Sequence, residues 1–134
     1  MVDKKKGVPN VIIAEDDPHV AFLMMGAFKM AGYLPHNPAT PEECLAKVRE
    51  LGDRLDAIII NGTLAADRGV MLIVNIRNLN PRVMIFVLAE RYEAENKVRV
   101  LDYGADEFTV KPLNILALID KVQMLLVAGV PTKL

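Results

Sequence analysis

Three consecutive carboxylates, Glu15, Asp16 and Asp17, stand between the apolar run Val11 to Ala14 and Pro18. The segment is negative and has no glycine, so it is a poor cradle for a nucleotide phosphate, which needs backbone N–H groups and close approach. A hard cation such as Mg²⁺ suits it better, because that ion takes one or two carboxylates and keeps its waters. The alternative is that the acids only occupy the start of a helix, where its dipole favours them. On this segment alone both readings stay open.

Other polar groups follow other apolar runs. Asp56 to Ile60 leads into Asn61-Gly62, Phe86 to Leu88 into Ala89-Glu90, and Gly104-Ala105-Asp106 through Val110 into Lys111-Pro112. His19 and His36 lack metal-ligand spacing and read as incidental surface residues. The single cysteine, Cys44, excludes an internal disulfide. It shares a helical stripe with Val48 and Leu51, which favours a buried structural thiol over a nucleophile.

The elements that must position these groups alternate. Val11 to Ala14 reads as a strand and Pro18 to Ala31 as a helix ended by Gly32. Tyr33 to Asn37 is a weak strand that Pro35 confines to an edge, since proline removes a ladder donor. Thr40-Pro41-Glu42-Glu43 is a capping box opening a helix to about Leu51. Ala57 to Ile60 and Val83 to Leu88 are continuous apolar runs of the kind found in central parallel strands. Between them Gly69 to Leu79 has helical period, stopped by Asn80-Pro81. A helix over roughly Glu93 to Tyr103, a strand over Glu107 to Val110 and a helix from Leu113 to Ala128 complete the chain. This alternation predicts an α/β fold, a parallel sheet with helices on both faces. Ligands of such sheets gather at the carboxyl ends of the strands.

Over essentially its whole length the chain resembles the response-regulator receiver domains, the CheY-like family. The resemblance rests on Glu15-Asp16, on the segment Asp56 to Gly69, and on Gly104-Ala105-Asp106 leading to Lys111-Pro112, in that order and at suitable spacing. It implies a doubly wound five-stranded parallel sheet of order 2-1-3-4-5, a flavodoxin-like three-layer sandwich. It also implies phosphoryl transfer from a histidine kinase to an aspartate at the end of strand three. Two acids hold Mg²⁺, a lysine neutralises the phosphoryl oxygens, and a Ser or Thr after strand four hydrogen-bonds the product. By this resemblance Glu15 and Asp16 match the metal acids, Lys111 the lysine and Phe108 the aromatic switch position.

The departures carry more information. Asn61 stands at the acceptor position, and a neutral amide has no anionic oxygen to attack phosphorus. Leu88 stands at the Ser/Thr position, and Ala65 replaces a proline usual in the loop after strand three. Losing nucleophile and hydroxyl together points to a receiver released from phosphorylation. With one carboxylate fewer, Glu15 and Asp16 are partly compensated by Lys111, which therefore reads as a structural ion pair. No cofactor is required, although weak Mg²⁺ binding stays compatible with the acids.

At 134 residues the chain has room for one domain, read as residues 10–129 between short tails at 1–9 and 130–134. Sixteen basic and seventeen acidic residues leave no nucleic-acid footprint, and Lys4, Lys5 and Lys6 read as a solvated tail. Apolar residues make up 52%, yet no run reaches the ~18 needed for a membrane span. No hydrophobic signal segment follows the charged N-terminus, so the cytoplasm is the expected location.

The first and last helices carry more apolar residues than one buried stripe needs. Val20, Leu23, Met24, Ala27 and Phe28 are assigned to the inner stripe of the first helix, with Phe22 and Met25 outward beside Ala21 and Gly26. In the last helix Ile115, Leu118, Ile119, Val122, Leu125 and Leu126 form the stripe, leaving Leu116, Met124 and Val127 outside. A contact surface for a histidine kinase, another signalling protein or a second copy follows. The leading reading is thus a phosphorylation-independent interaction module of a two-component pathway, not an enzyme. The alternative is an ordinary phosphoacceptor whose aspartate was changed to Asn61, or is regenerated by deamidation at Asn61-Gly62. A small flavodoxin-like enzyme is disfavoured, because no loop offers a phosphate cradle or a nucleophile–base pair.

Overall fold

Ile58, Ile59 and Ile60 lie between Ile12-Ile13-Ala14 on one side and Ile85-Phe86-Val87 on the other, all in parallel register. β-branched side chains fit such a twice-covered pleated surface, which is why these runs hold the centre of the sheet. The computed structural model describes residues 7–61, 69–89, 97–110 and 114–128. Its strands are β1 (Asn10–Ala14), β2 (Leu34–His36), β3 (Leu55–Asn61), β4 (Met84–Ala89) and β5 (Glu107–Val110). Its helices are α1 (Pro18–Met30), α2 (Pro41–Leu51), α3 (Gly69–Leu79), α4 (Lys97–Asp102) and α5 (Ile115–Ala128). The strands are ordered β2-β1-β3-β4-β5, with the Pro35 strand at the edge as its missing donor requires.

Alternate strand residues feed two cores. Ile12, Ile58, Ile60, Ile85 and Val87 pack with Cys44, Val48, Ile73, Ile76 and Val100 from α2, α3 and α4. Val11, Ile13, Ile59, Met84 and Phe86 pack with Met24 and Phe28 of α1 and Leu118, Ile119 and Val122 of α5. The result is the three-layer sandwich expected. The part of the α4 helix expected before residue 97 and the tails at 1–6 and 129–134 lie outside the described residues.

Thr40 Oγ1 accepts from Glu43 N at 3.0 Å, and Glu43 Oε1 reaches back to Ala39 N at 3.0 Å, one residue before the cap. At the amino ends of the strands Arg77 ties α3 to the turn before β5. Its guanidinium donates to the carbonyls of Pro81, Val83 and Gly104, and Nη2 meets Asp106 Oδ2 at 3.0 Å. Asp106 Oδ2 also accepts from Ile85 N, at 2.9 Å. Gly104 has φ +122°, and a Cβ there would come within 3.3 Å of Arg77 Nε. The Gly104-Ala105-Asp106 motif is therefore a structural joint, remote from any chemistry at the opposite end of the sheet.

The register of α1 departs from the expected one. Ala21, Met24 and Phe28 are buried, while Leu23 is exposed and Met25 is half-buried against the core. The inward centre is set by the i, i+3, i+7 line 21-24-28, and the apolar side chains flanking it cannot show from sequence which flank is covered. His36 is likewise not incidental. Its Nε2 hydrogen-bonds Asn10 Oδ1 at 2.9 Å, and burial, with Lys47, pushes the ring below its ordinary pKa.

Cys44, Val48 and Leu51 are buried on one stripe of α2, as their spacing requires. Burial raises the Cys44 thiol to about 11. At pH 8 the thiolate fraction is then on the order of one in a thousand, and the sulfur is covered. A disulfide-exchange reagent is expected to leave the native chain untouched and to label it stoichiometrically in denaturant. Rapid native labelling would place the thiol at the surface.

Candidate functional site

β1 delivers three acids to the carboxyl edge of the sheet, and each takes a different role. Asp17 is the N-cap of α1, its Oδ1 accepting from His19 N at 2.9 Å and from Val20 N at 3.3 Å. Asp16 is exposed. Glu15 turns inward and is only 7% exposed. The helix-start reading of this segment therefore holds for Asp17.

β3 brings Asn61 to the same edge, 6% exposed. Its Nδ2 donates to Glu15 Oε2 at 2.6 Å, and the same oxygen accepts from Asp17 N at 3.0 Å. A buried carboxylate needs such donors, and one from a charged-to-amide pair is short and strong. Asn37 secures the approach from below, its Nδ2 donating to the Ile13 carbonyl at 2.6 Å and to that of Glu15 at 3.3 Å. Sequence reading overlooked Asn37. A polar residue between the edge strand and Pro38 was its only signal.

Leu88, expected at the Ser/Thr position, stands beside Asn61 in the sheet. Leu88 pairs with Asn61 across β3 and β4, and its side chain is 1% exposed in the core beneath α1 and α5. The strand runs one residue further, to Ala89, which faces the other layer together with Phe108. Neither residue carries a hydroxyl. Phe108 itself is buried. Lys111 lies outside the described residues, as do Ala65 and Gly62.

These residues do not make a resident Mg²⁺ site. The expected third carboxylate is an amide that presents its N–H to Glu15 and so occupies a lone pair the metal would use. Among the described residues no group of three His, Cys, Asp or Glu side chains is placed to hold a metal ion.

At the other end of the sheet Asn10, overlooked in the sequence because it precedes an apolar run, is a buried hub. It binds His36 through Oδ1, the Arg54 carbonyl through Nδ2 and the Asp56 carboxylate through its backbone N–H. This joins β2 to the start of β3 and is structural.

Of the expected contact residues, Phe22, Leu116, Met124 and Val127 are 78%, 72%, 70% and 61% exposed. Met25 is not among them, and Ala21, expected outside, is buried. Leu23 and Met30 take their place, and α1 and α5 touch along the same face of the sheet.

The family pattern described as response regulator receiver domain matches residues 11–123. The transcriptional regulatory protein AruR of Pseudomonas aeruginosa is 27% identical over 122 residues, covering 89% of this chain and 50% of that protein. PrrA of Mycobacterium tuberculosis is 27% identical over 118 residues, with 88% and 50% covered. The chain thus spans about half the length of these curated relatives. A CheY-like response regulator receiver domain protein from Methanospirillum hungatei superposes with a TM-score of 0.81 at 24% identity, covering 91% of this chain and 96% of that one. At that identity the likeness concerns the fold.

Proposed function

This chain belongs to the response regulator receiver family, and from the state of its acceptor site we propose that it works without phosphorylation, as an interaction module of a two-component pathway. The observation that carries the reading is the 2.6 Å bond from Asn61 Nδ2 to Glu15 Oε2. Phosphoryl transfer needs a carboxylate oxygen free to attack and a metal to gather the charge. Here the amide cannot attack, and it engages one oxygen of Glu15, the acid matched to the metal position. Asn61 is held within β3 and buried, which opposes the chain rearrangement that succinimide formation would need. Deamidation is therefore disfavoured as a route back to aspartate. Output then depends on contacts made by the folded surface with a histidine kinase or another signalling protein. The exposed side chains of α1 and α5 supply such a surface.

Incubation with acetyl phosphate and Mg²⁺, followed by intact-mass measurement, is expected to leave the chain unmodified. The starting mass verifies that Asn61 is still an amide. A phosphoryl adduct on the undeamidated chain would refute the reading.

A further inference from the structure

β2 is the most lightly held strand of the sheet. It spans only Leu34–His36 and has β1 as its one neighbour among the described strands. Side chains at its end add to that hold. Asn37 Nδ2 donates to the Ile13 carbonyl at 2.6 Å, and His36 Nε2 meets Asn10 Oδ1 at 2.9 Å. Asn10 Nδ2 donates in turn to the Arg54 carbonyl at 3.1 Å, which leaves Oδ1 as the acceptor and puts the ring hydrogen on Nε2. A further proton would therefore enter at Nδ1.

The surroundings of the ring oppose that proton. His36 is half-buried, and Lys47 and Glu50 face it from α2, with Arg54 from the turn before β3. Lys47 Nζ and Glu50 Oε2 already meet at 3.3 Å, and Arg54 Nη2 donates to the Glu50 carbonyl at 3.3 Å. Asp56 of β3 faces the same hub, its Oδ2 accepting the Asn10 backbone N–H at 3.0 Å. Glu50 thus offsets one of the two cations around the ring and leaves the other. We propose that His36 is a pH-sensitive latch at the sheet edge: neutral, it holds β2 against β1, and its protonation in mildly acidic solution loosens that strand. The bond to Asn10 survives in either state, so the loosening comes from a charge placed in a covered, cation-flanked position. Burial and the two cations hold the imidazole below its ordinary value of 6.5. A base that binds its proton less readily in the folded chain contributes its stability in full above that value. The contribution is lost as pH falls through the folded-state value.

Amide exchange at Leu34 reads this hold directly, because its N–H donates to the Pro9 carbonyl, just before β1, at 2.8 Å. Its protection, corrected for the pH dependence of free amides, is expected to fall at least about twofold between about pH 7 and pH 5. His36→Gln offers Asn10 a neutral N–H in place of the ring, so Leu34 protection in that variant should stay level over the same range. The His36 ring of the unaltered chain, followed by NMR, should titrate at lower pH than in the chain unfolded by urea. An equal or higher midpoint overturns the proposal whatever the variant does. So does Leu34 protection that stays level in the unaltered chain, or that falls equally in the variant.

Discussion

Asn61→Asp is expected to destabilise the protein in EDTA by about 3 kcal/mol and to make its melting temperature rise with added Mg²⁺. The substitution removes the amide N–H that Glu15 accepts at 2.6 Å and sets a second carboxylate in its place, at a point 6% exposed. Two anions at that distance repel strongly where little water screens them, and Glu15 loses a donor at the same time. A divalent ion relieves both faults, so the variant is expected to depend on metal more strongly than the unaltered chain. Thermal melts with EDTA and with a Mg²⁺ series measure it. Equal melting temperatures for the two proteins in EDTA would mean that the Asn61–Glu15 bond contributes little. Acetyl phosphate should now modify the variant, whereas a switching response should stay absent until Leu88→Thr supplies a hydroxyl beside residue 61. If Ala89→Thr restores switching instead, the assignment of the strand end is wrong by one residue.

The other large effect lies at the far end of the sheet. Arg77→Ala is expected to cost about 3–5 kcal/mol, a fall in melting temperature on the order of 10 °C. Asp106 would keep its bond from Ile85 N but lose the opposite charge at 3.0 Å, in a pair whose side chains are 22% and 10% exposed. The carbonyls of Pro81, Val83 and Gly104 would lose their guanidinium donors together. Arg77→Lys should recover only a minor part, because one ammonium cannot span that fork of acceptors. Denaturant unfolding of the three proteins checks this. A loss below about 1 kcal/mol for the alanine variant would show that water replaces the guanidinium at little cost. The contrast between the two ends is functional as well as energetic, since Arg77 governs stability and Asn61 governs which chemistry is accessible.

Much of this was legible in the residues. Apolar runs and the 3.6-residue period located all five strands and the helices between them, because burial on both sheet faces demands continuous apolar runs such as Ala57 to Ile60. Pro35 set the edge, since a missing N–H excludes it from the ladder interior. Thr40 and Glu43 set the start of α2 through a local hydrogen-bond cycle. Asn61 announced itself as the departure from the family pattern. These are properties of neighbours in sequence, fixed by covalent geometry and hydrogen-bonding capacity within a few residues.

Tertiary structure decided the rest. Which of Glu15, Asp16 and Asp17 turns inward depends on the donor waiting 46 residues away in Asn61. Leu88 and Ala89 differ by one step, and in a strand that step moves a side chain to the other face, so only the pairing with β3 assigns each to its layer. Asn10, Asn37 and Arg77 gained their roles from carbonyls that lie close only after the strands have assembled. Met25 and Leu23 exchanged places because two flanks of an apolar helix are equivalent until a neighbouring element covers one of them. Local sequence thus determined the elements and the amide at position 61, while long-range contacts alone determined which side chains face one another, because those distances do not exist in the unfolded chain.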